Sequence, residues 1–203
     1  MIALIDYGAG NLASVRKALA AVGAEVAVPG APAALERAAG IVIPGVGHFG
    51  ATASLDGPWR EALARFVADG RPLLGVCLGM QWLFEASAEA PGCPGLGVMP
   101  GTCRRLDGDV KVPHVGWNEL RLTGPSWILA GVPDLAQAYF THSYAAPVTS
   151  ACVATTTHGE PFAAAVEAGR LAGVQFHPEK SGEVGLRILR NFVDAVQAAD
   201  RLP

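Results

Sequence analysis

The chain has 203 residues, enough for one domain with a substantial core. Its 15 Lys and Arg against 18 Asp and Glu give a net charge of −3, and only 16% of residues are charged against a usual ~25%. Positive mean hydropathy excludes a disordered chain, and a pI near 5.9 leaves no basic footprint for nucleic acid or anionic lipid. Four cysteines (Cys77, Cys93, Cys103, Cys152) lack the CxxC spacing of a zinc cluster or redox dithiol, so no metal is expected. Ile2–Ile5 runs into Asp6 without a basic n-region, and no apolar run approaches the ~18 residues of a bilayer span. A cytoplasmic, reducing location is the expectation.

Ile2–Ile5 reads as a first strand. Asn11 is a candidate N-cap for a helix whose apolar positions Leu12, Val15, Leu19 and Val22 recur at spacings of three and four. Glu25–Val28 reads as a second strand ended by Pro29-Gly30, Ala31–Ala38 as a helix, and Ile41–Ile43 as a third strand stopped by Pro44-Gly45. A helix through Trp59–Ala68 leads over Gly70-Arg71-Pro72 to the apolar run Leu73–Val76. Strand and helix alternate, and the strands are apolar throughout, which predicts an α/β fold with a parallel sheet covered on both faces. Beyond about residue 90, Cys103–Leu106, Glu119–Leu122, Ala136–Thr141, Ala151–Thr157, Phe162–Glu167 and Leu171–Phe176 are strand-like and separated by turns. This half predicts antiparallel or mixed sheet. A last amphipathic helix places Leu189, Phe192, Val193 and Val196 on one face, and no linker or repeat divides the chain.

Cys77 stands between Gly75 and Gly79 where a buried strand turns into a helix, the G-x-nucleophile-x-G elbow that exposes a side chain at the carboxyl edge of a sheet. Helix N-terminal amides there favour a thiolate and can hold an oxyanion, the Leu78 N–H among them. A thiol nucleophile needs a base, and the base an orienting partner. His177-Pro178-Glu179 ends a late apolar strand, and alternation of extended side chains puts His177 and Glu179 on one face. The third piece is the turn Pro44-Gly45-Val46-Gly47, whose backbone amides can face a developing negative oxygen. Each piece alone has a bland alternative: a buried structural Cys, a surface turn, a strand-end turn.

In this order the three pieces resemble the class I (triad) glutamine amidotransferases. Asp6-Tyr-Gly-Ala-Gly-Asn11, Pro44-Gly-Val-Gly47, Cys77-Leu-Gly-Met-Gln81, His114-Val-Gly-Trp117-Asn118, Tyr139-Phe-Thr-His142-Ser143-Tyr144 and His177-Pro-Glu-Lys180 resemble, across nearly the whole chain, the family of glutaminase subunits of imidazole glycerol phosphate synthase. The resemblance implies a flavodoxin-like three-layer fold with a central mixed, mainly parallel sheet. It also implies hydrolysis of L-glutamine without a cofactor, and a (β/α)8-barrel cyclase partner that receives the ammonia. Carried over, Cys77 is the nucleophile, His177 the acid and base, and Glu179 its orienting group. Gly45, Val46 and Leu78 form the oxyanion hole. Gly47, Gln81, Glu89, His142, Ser143 and Tyr144 contact glutamine, with Glu89 on the α-ammonium, and Asn11, Trp117, Asn118, Tyr139 and Lys180 meet the partner. The resemblance further implies an oxyanion turn that is out of position until partner and nucleotide bind.

Two other readings compete. Gly8-Ala-Gly10-Asn-Leu-Ala13 fits the G-x-G-x-x-A of a dinucleotide-binding module, but the acid expected after the second strand is missing, since Val28 meets Pro29-Gly30. A glutaminase of another pathway, such as pyridoxal phosphate synthesis, would share the triad but lack the D-Y-G-x-G-N and H-x-G-W-N blocks.

Overall fold

The computed structural model describes residues 1–200. In chain order the first half contains β1 (Ile2–Leu4), α1 (Leu12–Ala21), β2 (Val26–Ala27), β3 (Gly40–Ile43), α2 (Pro58–Ala68), β4 (Leu73–Val76) and α3 (Leu78–Trp82). The second half contains β5 (Phe84–Ser87), β6 (Met99–Arg105), β7 (His114–Leu122), β8 (Ala136–His142), β9 (Tyr144–Ala145), β10 (Cys152–His158), β11 (Glu160–Ala168), β12 (Leu171–Val174) and α4 (Gly182–Ala199). Nine strands form one sheet in the order β2-β1-β3-β4-β12-β11-β10-β7-β8, and β5, β6 and β9 form a small second sheet. Pairing is parallel from β2 through β12 and antiparallel from there to β8. The late strands thus form the antiparallel half, and β12 crosses back to complete the parallel one.

Period-two alternation sorts the parallel strands between two cores. Ile2, Leu4, Val42, Leu74, Val76 and Val174 pack on one face with Val15 and Leu19 of α1 and Leu189 and Phe192 of α4. Ala3, Ile5, Ile41, Ile43 and Leu73 pack on the other with Leu63 and Phe66 of α2 and Met80 and Trp82 of α3. Helix, sheet and helix make three layers, as the apolar strands required. Asn11 caps α1 as expected, its Oδ1 accepting from the Ser14 N–H at 3.2 Å. Ala31–Ala38, by contrast, forms a 3₁₀ turn, Pro32–Arg37, rather than an α-helix. Only Leu35 in it is buried, so no packed face repays the nucleation of a longer helix. Among the described residues no helix is long and apolar enough to cross a membrane.

Helix α4 lies against the turn that follows β12. A Cβ built on Gly185 would overlap the Pro178 carbonyl, so the helix can sit this close only with glycine there. Gly185→Ala should therefore cost about 1–3 kcal/mol in a denaturant titration, the usual range for overpacking. A variant of unchanged stability would show that this contact yields freely.

Candidate active site

Strands β3, β4 and β12 are neighbours in the parallel half, and each delivers one piece of the site at its carboxyl end, where α/β sheets hold ligands. The end of β4 carries Cys77, buried and held at φ 53°, ψ −106°, a strained conformation for a residue with a Cβ. Its N–H donates to the Val174 carbonyl at 2.7 Å, tying the corner to β12. The flanking glycines are required by contact. A Cβ on Gly75 would stand 2.7 Å from the Gly79 carbonyl oxygen, and one on Gly79 would overlap the Ile43 carbonyl. The following helix, α3, has only five residues, so the support expected from a helix N-terminus comes from its first amides and not from a long dipole.

The chain leaving β12 changes neighbour. Gln175 N–H still donates to Ala164 of β11, but His177 N–H donates to Tyr139 of β8, both at 2.8 Å. His177 is extended, as the following proline demands, but Pro178–Lys180 coils into a 3₁₀ turn, so strand alternation is not what brings Glu179 to it. The turn folds Glu179 back, and His177 Nδ1 meets Glu179 Oε1 at 2.8 Å with both side chains almost wholly buried. That contact fixes the tautomer. His177 Nε2, also buried and without another hydrogen-bond partner, is left for Cys77. Burial alone would lower the imidazole pKa, but the Cys77 thiolate and the Glu179 carboxylate outweigh it and raise it to about 9. Two of the other thiols are held in the protonated form: burial pushes Cys103 up to about 12 and raises Cys152.

A cleft of about 210 Å³ opens over Cys77, lined by Gly47, Leu78, Gln81, Glu89, Pro113 and the Thr141–Tyr144 segment. This is smaller than the ~300–1,000 Å³ of pockets for drug-sized ligands and suits one amino acid. All six residues expected at the substrate line it. Gln81 donates to the Tyr144 carbonyl at 2.8 Å and to Gln175 Oε1 at 3.0 Å. Gln175, fully buried, in turn points its amide nitrogen at Cys77 Sγ, 3.6 Å away. The sequence reading gave Gln175 no role; its signal was a single polar residue in an apolar run, two positions before His177. Glu89 accepts from the Phe49 N–H through Oε2 at 2.7 Å, which ties it to the 3₁₀ turn after Gly47. His142 meets His114 edge to face, while His114 itself stacks on His158: the His142 Nδ1–H bonds the Tyr144 carbonyl and its Nε2 meets His114 Nδ1 at 3.2 Å. Burial holds His142 near 3 and His114 near 4, so both are neutral at pH 7.

The oxyanion turn is present, but its polarity is reversed. The Leu78 N–H donates to the Gly45 carbonyl at 3.4 Å, so the Gly45–Val46 peptide directs oxygen, and not its N–H, toward the place a developing anion would occupy. Against it lies the first β–α turn. A Cβ on Gly10 would come 3.6 Å from the Gly45 backbone, and one on Gly45 itself would overlap the Tyr7 hydroxyl. Gly10 of the dinucleotide-like motif is therefore packed against protein backbone, while Gly8 has open space beside it.

Three of the five residues expected at a partner form one cluster, in which Trp117 and Lys180 are exposed and Tyr139 is half-buried. Trp117 and Tyr139 face each other across β7 and β8 with ring centroids 6.0 Å apart, and Lys180 Nζ lies 5.6 Å from the Tyr139 ring. Trp117 is 56% exposed and so lies outside the core. Asn11 is exposed at the start of α1. Asn118 is instead engaged inward, donating to the Thr157 carbonyl at 3.0 Å and lying 3.2 Å from His114 Nε2.

The sequence model of the family "Glutamine amidotransferase class-I" matches residues 3–196. "Imidazole glycerol phosphate synthase subunit HisH" of Halobacterium salinarum is 51% identical, over 95% of this chain and 92% of its own length. The protein of the same name from Methanothermobacter thermautotrophicus is 48% identical over 98% of this chain and all of its own. Among solved structures, "Structure of PurLQS from Thermotoga maritima" superposes with a TM-score of 0.77, covering 95% of this chain and 97% of that one at 17% identity, a likeness of fold.

The placing of His177 between Cys77 and Glu179 carries a pH signature. Because the folded pKa of His177, about 9, lies above the ~6.5 of an unfolded histidine, its contribution to stability is complete below pH 6.5 and is lost as pH rises through 9. An NMR titration of the His177 ring should give a midpoint near 9 that falls in Glu179→Gln. A wild-type midpoint at or below 6.5 would dissolve the ion pair.

Proposed function

Because the chain belongs to the class I glutamine amidotransferases, we propose that it is the glutaminase subunit of an imidazole glycerol phosphate synthase. In that role it hydrolyses L-glutamine to glutamate and ammonia for L-histidine biosynthesis. The observation that carries the chemistry is the buried set of Cys77, His177 and Glu179 at the edge of one small cleft. With its proton on His177, the Cys77 sulfur attacks the side-chain amide carbon. The carbonyl π bond opens to an oxyanion, the C–N bond then breaks, and ammonia leaves with the proton from His177 Nε2. Water adds to the resulting thioester, giving its proton to His177, and glutamate departs as the thiolate re-forms. Glu179 keeps the imidazole in the required tautomer throughout. Gln81, Glu89 and the Gly47 and His142–Tyr144 backbone hold the amino acid, with the Glu89 carboxylate opposite its α-ammonium.

The partner is a (β/α)8-barrel cyclase seated over Trp117, Tyr139, Lys180 and Asn11, with Asn118 at the border through its backbone. It consumes ammonia and a phosphoribulosyl formimino carboxamide nucleotide, and forms imidazole glycerol phosphate and an aminoimidazole carboxamide ribotide. Tyr139 supports this seat because its carbonyl accepts from His177, so pressure on the surface reaches the triad through one residue. Closure of the hole by the Gly45 carbonyl supports a resting state in the free chain. Rotation of the Gly45–Val46 peptide would replace that oxygen by the Val46 N–H beside the Leu78 N–H.

One oxyanion donor is worth about 10²–10³ in kcat, so the chain alone should hydrolyse glutamine at least about a hundredfold slower than it does with cyclase and nucleotide. Turnover independent of the cyclase would overturn the subunit reading. In the complex, Cys77→Ala should abolish glutamine-dependent cyclisation and leave the ammonia-dependent reaction intact. Loss of both would make Cys77 structural.

A further inference from the structure

The Tyr7 hydroxyl is a buried donor with no hydrogen-bond partner, on a residue only 7% exposed. A phenol left unpaired in the interior is costly, about 1–3 kcal/mol, and such an atom calls for a reason. Its surroundings supply one. The hydroxyl stands where a Gly45 side chain would begin, so it borders the Gly45 Cα and the peptide whose carbonyl now caps the Leu78 N–H. Standard geometry keeps a carbonyl oxygen about 2.4 Å from its own Cα at every rotation. When the Gly45–Val46 peptide turns, that oxygen leaves Leu78 and sweeps the space around Gly45 Cα, needing a new donor.

We propose that Tyr7 is a positioning residue that receives the Gly45 carbonyl after the peptide rotates, and so stabilises the competent oxyanion hole. In the resting chain Leu78 N–H and Gly45 carbonyl satisfy each other while Tyr7 goes without. In the competent arrangement the Tyr7 O–H donates to the Gly45 carbonyl, leaving the Leu78 and Val46 N–H groups free for the substrate anion. Burial, and then the nearby Cys77 thiolate, raise the phenol's pKa, so the donor keeps its proton across the working pH range. Glycine at position 45 leaves the room this needs, since any side chain there would displace the hydroxyl.

This inference rests on the glutaminase reading, and one experiment separates the two. Wild type and Tyr7→Phe are each assayed as the complex with cyclase and nucleotide, following glutamine hydrolysis, ammonia-dependent cyclisation and thermal unfolding. Expected for Tyr7→Phe is a kcat for glutamine about three- to tenfold lower, the weight of one net hydrogen bond, with KM within twofold of wild type. Ammonia-dependent turnover should be unchanged and the melting temperature equal or higher, because the substitution removes an unpaired buried hydroxyl. A full or increased kcat would refute the role of Tyr7 alone. A fall in kcat accompanied by lower melting temperature and equal loss of the ammonia reaction would refute it in favour of a packing role. A wild-type complex that does not hydrolyse glutamine would refute the glutaminase reading, and the role of Tyr7 with it.

Discussion

The Leu78 N–H reaches the Gly45 carbonyl, 3.4 Å away, only because glycine stands at each place where two backbones crowd. Gly75 leaves room for the Gly79 carbonyl, Gly79 for the Ile43 carbonyl, and Gly45 for both Leu78 and the Tyr7 hydroxyl. These absences of side chain let the ends of β3 and β4 close on each other, and the closure sets where the Cys77 sulfur stands relative to the oxyanion turn. A methyl group at any of the three would separate the turns, and triad and hole would no longer share one cleft. The strain held in the Cys77 backbone is sustained by the same packing.

How much of this was legible depends on the range over which each determinant acts. The parallel half was readable because Ile2–Ile5, Ile41–Ile43 and Leu73–Val76 are buried on both faces, leaving an uninterrupted apolar signature between turn residues. The elbow was readable because Gly75, Cys77 and Gly79 lie within five residues of sequence, although the contact that requires Gly79 comes from Ile43 on another strand. His177 and Glu179 were correctly joined by an incorrect route. Proline at 178 is compatible with a strand end and with the first position of a 3₁₀ turn, and α4 packing on Pro178 chooses the second. The inward bonds of Asn118, to Thr157 and His114, were not legible either, because the contact to Thr157 depends on strand pairing invisible in a local window.

The substrate wall illustrates the limit further. Thr141–Tyr144 runs from the end of β8, the far edge of the nine-stranded sheet, into β9, yet lies over Cys77. Nothing in its residue types announces this; it follows from the chain beyond β12 abandoning β11 for β8. Gln175 escaped notice because one amide in a buried strand is indistinguishable from a satisfied core residue until its partners, Gln81 and Cys77, are in place. The resemblance to a family supplied His142, Ser143 and Tyr144 from outside but not Gln175, and physical reading of the sequence had reached only Cys77, His177, Glu179 and the oxyanion turn.

On the proposed reading the carboxylate of Glu89 has two tasks, the substrate ammonium and a backbone amide. One oxygen is already committed to the Phe49 N–H, the first amide of the 3₁₀ turn that continues from Gly47. Ligand recognition and the shape of the oxyanion segment are thus built on a single anchor. For anyone redesigning the cleft toward a different amine, position 89 is the least independent of its walls: exchanging the charge there also unfastens the segment on which the reaction depends. Broadening of specificity is more accessible from the opposite wall, at Ser143, where the side chain anchors no loop and the backbone carbonyl, bound to the Leu106 N–H, survives any substitution.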